Sequence, residues 1–125
     1  MENKIPELSK EELDRVSGGA FRPSGHTVEV KKSNCYTFIR SAEKAMLLAG
    51  APWCGPAQLM CANIDSFAES NRYLEVGILN ADLPENHSLV DQLNITSIPI
   101  TIHYKNGVEV HRTTGVVPVD KLAAF

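Results

Sequence analysis

The 125-residue chain has no apolar run of membrane-spanning length, no cluster of basic residues and no internal repeat. A spanning helix needs roughly 20 consecutive apolar residues. The longest run here, Ala45-Met46-Leu47-Leu48-Ala49, is the size of a strand buried on both faces, so no membrane insertion is expected. Lysine and arginine total 12 against 15 aspartates and glutamates, a net charge of −3, which argues against nucleic acid as the main partner. The four histidines, His26, His87, His103 and His111, have no metal-ligand spacing with one another or with the cysteines. They read as ordinary surface or strand residues, and neither a metal nor an organic cofactor is expected. Cysteine is scarce and odd in number: Cys35, Cys54 and Cys61 cannot all pair within one chain, so at least one thiol stays free. What remains is 43% apolar and 22% charged, which suits one small domain with a core of its own.

The chain is organised around Ala51-Pro52-Trp53-Cys54-Gly55-Pro56-Ala57-Gln58-Leu59-Met60-Cys61. The segment reads as a turn feeding the first turn of a helix. Pro56 fits there because the first-turn N–H groups have no intrahelical acceptor to lose. Those N–H groups and the helix dipole stabilise an anion, so Cys54 at the helix start is expected to favour its thiolate, the nucleophile of disulfide exchange.

Around this segment the sequence alternates strand and helix signals. Thr27 to Val30 alternates as a first strand, and Ser33 to Arg40 is a short helix holding Cys35, with Ser33 as its cap. Ala45 to Ala49 is the central strand. The Cys54 helix runs to about Ser70 and is expected to bury Leu59, Ile64 and Phe67. Tyr73 to Asn80 is a strand, Asn86 to Leu93 a short helix, and Ile100 to Tyr104 a strand. Asn106-Gly107 is a hairpin turn that brings Val108 to Arg112 back alongside. Pro118 opens a final helix reaching Phe125. This order predicts an α/β fold with parallel strands joined by helical crossovers and an antiparallel hairpin at the end.

Trp53 before the cysteine and Gly55-Pro56 after it resemble the active site of the thioredoxin family. The resemblance extends over Thr27 to Phe125 and takes in Ile98-Pro99, the turn Lys105-Asn106-Gly107, and Gly115. It implies the thioredoxin fold, a central mixed sheet flanked by helices on both faces, and a cis peptide bond before Pro99 facing the active cysteine. It also implies that Cys54 attacks a client disulfide and that Trp53, Gly55, Pro56, Ile98, Pro99 and Gly115 line the client groove. The partner it implies is a disulfide-containing client protein, met by a monomer. Three departures stand out. The family's second, resolving cysteine is replaced by Ala57. Its buried acid, six residues before the nucleophile, is replaced by Leu48, and a bulky aromatic often found nearby is replaced by Gly50. Cys61 is a poor substitute for the resolving cysteine. Seven residues along a helix is about 10 Å, and a disulfide needs Cα atoms within roughly 7 Å.

The first residues form a separate program. Ser9 caps a short helix, Glu12 completes a capping box, Leu8 packs on Leu13 as a staple, and Gly18-Gly19 stops it. Leu8 to Gly19 resembles the double-glycine leader of bacteriocin-type exported peptides. The resemblance implies that Leu8, Glu12, Leu13 and Val16 dock on the cysteine peptidase of an ABC exporter, which cuts after Gly19. The domains expected are a leader over 1–19, a linker over 20–26 and a thioredoxin-like domain over 27–125, with a secreted or periplasmic location after leader removal.

Three functions stay open at this point. One is an oxidoreductase in which Ala57 is an engineered trap that leaves mixed disulfides standing. Another is a natural one-cysteine enzyme resolved by an external thiol such as glutathione. The third is a redox-inactive module that binds an extended peptide beside Ile98, either as an accessory to bacteriocin-type export or as its cargo.

Overall fold

The computed structural model describes residues 21–122. The leader positions Leu8, Glu12, Leu13, Val16, Gly18 and Gly19 lie outside that range.

Five strands form one mixed sheet in the order β1-β3-β2-β4-β5. They are β1 (Val28–Val30), β2 (Lys44–Gly50), β3 (Glu75–Asn80), β4 (Ile100–Lys105) and β5 (Val108–Thr114). β1, β3 and β2 run parallel, β4 is antiparallel to β2, and β5 is antiparallel to β4. β2 lies at the centre with Ala45 to Ala49 all fully buried, as a continuous apolar run requires when both faces of a strand are covered.

Alternation along β2 divides the core in two. Met46 and Leu48 point to one face, where α2 (Gly55–Ser70) packs with Met60, Ile64 and Phe67. Ala45, Leu47 and Ala49 point to the other, covered by α1 (Cys35–Ile39) and α3 (His87–Gln92) through Phe38, Ile39 and Leu89. Helices therefore flank both faces of the sheet. Arg112 on β5 ties down the end of α3 by donating to the carbonyls of Leu93 at 2.9 Å and Asn94 at 3.2 Å. Asn106 and Gly107 have φ of 54° and 82°, the left-handed pair that a two-residue hairpin between Lys105 and Val108 demands.

Several expectations need correction. Leu59 was expected in the core but is 54% exposed. The buried residues of α2 are Ala57, Met60, Cys61, Ile64, Phe67 and Ala68. They recur at three- and four-residue intervals, and Leu59 falls off that stripe. α1 starts at Cys35 with Asn34, not Ser33, at its cap. The Asn34 side chain instead braces the loop, accepting from the Lys31 N–H at 2.7 Å and donating to the Glu29 carbonyl at 3.0 Å. After Pro118 the described residues form a single 3₁₀ turn, Val119–Lys121, where a longer helix was expected. Phe21, ahead of β1, is a core residue, 7% exposed.

Candidate active site

The site forms where β2 ends. Gly50 and Ala51 leave the sheet buried, and the chain turns through Pro52 and Trp53 into α2. The Cys54 N–H donates to the Ala51 carbonyl at 3.1 Å and closes this turn. Cys54 is the cap residue of α2, extended at φ −94° and ψ 111°, and its own carbonyl accepts the first helical bond, from the Gln58 N–H at 3.0 Å. Pro56 sits in the first turn without losing a hydrogen bond. The Gln58 side chain reaches back to donate to the Pro52 carbonyl at 2.5 Å, locking helix to turn. Gln58 was not among the residues expected at the site; a long polar side chain one turn inside a helix, able to reach back over its start, was the available signal.

Cys54 is half-buried, and the neighbouring Trp53 is 68% exposed, a large apolar ring facing solvent beside the thiol. Gly55 and Pro56 are exposed on the same turn. The Ile98–Pro99 bond is cis, as the resemblance implied. Ile100 pairs with Ala49, which sets Ile98-Pro99 at the end of the sheet from which the Cys54 turn departs. Ile98 is half-buried and Pro99 buried. Gly115, with φ 86°, donates its N–H to the Pro99 carbonyl at 2.9 Å and joins that loop to the end of β5. The residues expected to line the groove thus gather at one end of the sheet.

All three cysteines are free thiols. Cys61 is 5% exposed in the cluster beneath α2, and its Sγ donates to the Arg22 carbonyl at 3.5 Å. Burial pushes its thiol above the ordinary range. Cys35 is fully buried in the cluster on the opposite face of the sheet, and desolvation pushes its thiol up to about 11. The sheet therefore separates Cys35 from Cys61; Cys61 lies seven residues beyond Cys54 along α2, about 10 Å at the helical rise. Ala57 is fully buried one turn after Cys54 and presents a methyl group where that thiol would be.

Two predictions arise here. In the native protein iodoacetamide is expected to label Cys54 alone. Cys35 and Cys61 should react only in denaturant, which peptide mass mapping would read; native labelling at Cys35 would mean the α1 face opens readily. The second concerns alkaline stability. The unfolded Cys35 thiol ionises near 9 and the folded one near 11. Between those values the unfolded chain has released a proton that the folded chain still holds, so stability falls as pH rises through the window. Below it both forms are protonated and the contribution is nil. Urea midpoints at about pH 8 and about pH 10.5 should show a smaller alkaline loss for Cys35→Ala than for the parent.

The strand order, the helices on both faces and a thiol poised at a helix start define the class, a thiol protein on the thioredoxin fold. Residues 26–125 match the family model described as Thioredoxin, and the chain belongs to that family. It is 31% identical over 99 residues to the thioredoxin of Alicyclobacillus acidocaldarius subsp. acidocaldarius, covering 78% of this chain and 92% of that one. It is 34% identical over 73 residues to Thioredoxin 1 of Synechococcus elongatus, covering 58% of this chain and 67% of that one. The match spans only 52% of the M-type chloroplast thioredoxin of Spinacia oleracea, at 34% identity and 75% of this chain. Among solved structures, the short form of spinach chloroplast thioredoxin f superposes with a TM-score of 0.70 at 26% identity, over 78% of this chain and 88% of that one. A mutant thioredoxin from Halobacterium salinarum NRC-1 gives 0.71 over 81% and 88% of the two chains; at 20% identity this is a likeness of fold. The family's chemistry is thiol–disulfide exchange on disulfide-containing targets. Among the described residues no helix is long and apolar enough to cross a membrane.

Proposed function

We propose that the protein is a single-cysteine thiol–disulfide exchange protein, exported through a double-glycine leader pathway. Cys54 is the nucleophile. Its thiolate attacks one sulfur of a client disulfide, a new S–S bond forms to Cys54, and the other client sulfur leaves as a thiolate and takes up a proton. No thiol of this chain stands where it could break the mixed disulfide. A low-molecular-weight thiol such as glutathione resolves it by attacking the bridge and releasing one of the two sulfurs. Trp53, Gly55, Pro56, Ile98, Pro99 and Gly115 hold the client. The observation that carries this reading is the contrast between a half-buried Cys54 at the start of α2 and two buried cysteines on opposite faces of the sheet.

The test is incubation with a disulfide protein such as insulin, followed by non-reducing electrophoresis and mass analysis. A covalent adduct at Cys54 is expected, long-lived without added thiol, released by glutathione, and absent in Cys54→Ser. If no adduct forms, the exchange reading is wrong. The same buried methyl at Ala57 favours a second reading, a client-binding thioredoxin fold without exchange; client binding that survives Cys54→Ser would carry it. For export, the full chain should lose residues 1–19 when treated with the peptidase domain of a double-glycine exporter. A chain left intact would remove the leader, its exporter partner and the secreted location from the proposal.

A further inference from the structure

We infer that Phe21 is a positioning residue for Cys54: its ring, brought in from outside the strand–helix framework, props the nucleophile's turn from behind by filling the space that Gly50 leaves open. Gly50 is the last residue of β2, and its neighbour Ala51 holds the Cys54 N–H through its carbonyl at 3.1 Å. The seat of the nucleophile hangs from this pair. A Cβ built on Gly50 would stand 2.7 Å from Phe21 Cε1, 2.9 Å from Phe21 Cζ and 2.7 Å from the Ala57 Cβ. Carbon atoms do not approach so closely, so the tip of the Phe21 ring already occupies the volume that a side chain at 50 would take. The ring belongs to the same buried cluster as Ala57, Met60 and Cys61, and Cys54 packs against that cluster.

The approach of the chain to this position is fixed along its length. Phe21 sits at the level of Ala57, the Arg22 carbonyl accepts from Cys61 Sγ, and Ser24 Oγ donates to Asp65 Oδ1. Positions 57, 61 and 65 are successive turns of one face of α2. Residues 21–24 therefore lie as a strap along the helix, with the ring delivered to its Cys54 end. Phe21 is placed behind the turn and not among the groups that meet a client, so its role is to hold the turn. Without the ring a cavity opens under Gly50 and Ala57, and the turn can sink into it, displacing Cys54 from its half-buried seat at the start of α2.

The inference rests on Cys54 being the nucleophile, and its test reads the thiol itself, without a client. Full-length parent, Phe21→Ala, Phe21→Leu and a control, Ile78→Ala, are compared by native iodoacetamide labelling of Cys54 at fixed pH and by heat unfolding. Ile78 lies in the same cluster but on β3, paired with Leu48 and outside the turn itself. Phe21→Ala is expected to slow Cys54 labelling at least threefold in the folded protein. Phe21→Leu, which keeps most of the apolar bulk, stays within twofold of the parent, and Ile78→Ala leaves the rate within twofold while losing stability. A Phe21→Ala rate no different from that of Ile78→Ala makes Phe21 a core filler and overturns the inference. A second measurement stands even where Phe21→Ala does not fold. Gly50→Ala should lower the unfolding temperature less in the Phe21→Leu background than in the parent, because leucine lacks the Cε1 and Cζ atoms that the new methyl group would meet. Strictly additive losses would overturn the contact. A parent that labels normally but forms no client adduct removes the exchange reading and leaves this comparison intact.

Discussion

Replacing Ala57 by cysteine is expected to raise insulin reduction at low dithiothreitol by about a hundredfold or more over the parent, which turns over only as fast as external thiol resolves its mixed disulfide. The reason is geometric. Position 57 is three residues after Cys54, on the first turn of α2, where side chains three apart meet on one face. A sulfur at 57 would attack the mixed disulfide within one molecule, whereas the parent waits for an external thiol. Assays at low dithiothreitol read this most clearly, because the external route is then slow. Turnover in the variant alone makes the scaffold a competent oxidoreductase with Ala57 as its block. Equal turnover in both proteins would mean that external thiol carries resolution unaided. Inactivity in both would move the protein to the client-binding reading.

The second large effect is on stability. Leu48→Asp is expected to cost roughly 3–5 kcal/mol, from the lost apolar volume and from a carboxylate taken out of water without a partner. Leu48 is fully buried at the centre of β2, between Ile78 on β3 and Thr101 on β4, within the apolar cluster beneath α2. The thioredoxin resemblance places an acid here to serve the resolving cysteine. With a methyl group at 57 that acid has no thiol to serve, and leucine fills the position as core. Urea unfolding would read the loss as a lower midpoint with an unchanged slope. A loss below about 1 kcal/mol would mean that water reaches position 48 and hydrates the carboxylate.

How much of this was legible in the sequence varied with the range of the interaction. β2 was legible because five consecutive apolar residues have few homes other than a central strand. The hairpin was legible because Asn106-Gly107 supplies two left-handed residues in a row. The seat of Cys54 was legible because a cysteine directly before Gly-Pro, at the start of an amphipathic run, fixes a helix start within a few residues. Leu59 was misplaced although its signal was present: Met60, Cys61, Ile64, Phe67 and Ala68 keep helical spacing without it. Val119–Lys121 forms a 3₁₀ turn and not an α-helical one because a proline start suits either, while 123–125 lie outside the described residues.

The sequence by itself determined the order of the elements, the family, and the presence of one cysteine at a helix start with an alanine three residues on. Periodicity, turn chemistry and capping act over a few residues and can be read locally. Tertiary structure alone decided which thiols are neighbours and what stands behind the nucleophile. Cys35 and Cys61 fall on opposite faces of the sheet because they reside in different helices packed against opposite sides of β2. Phe21 reaches the Cys54 turn because the strap follows the 57, 61 and 65 face of α2, and because Gly50 lacks the side chain that would exclude its ring. Nothing near Phe21 in the chain encodes that contact, since the groups that receive its ring arrive only when β2 and α2 have packed.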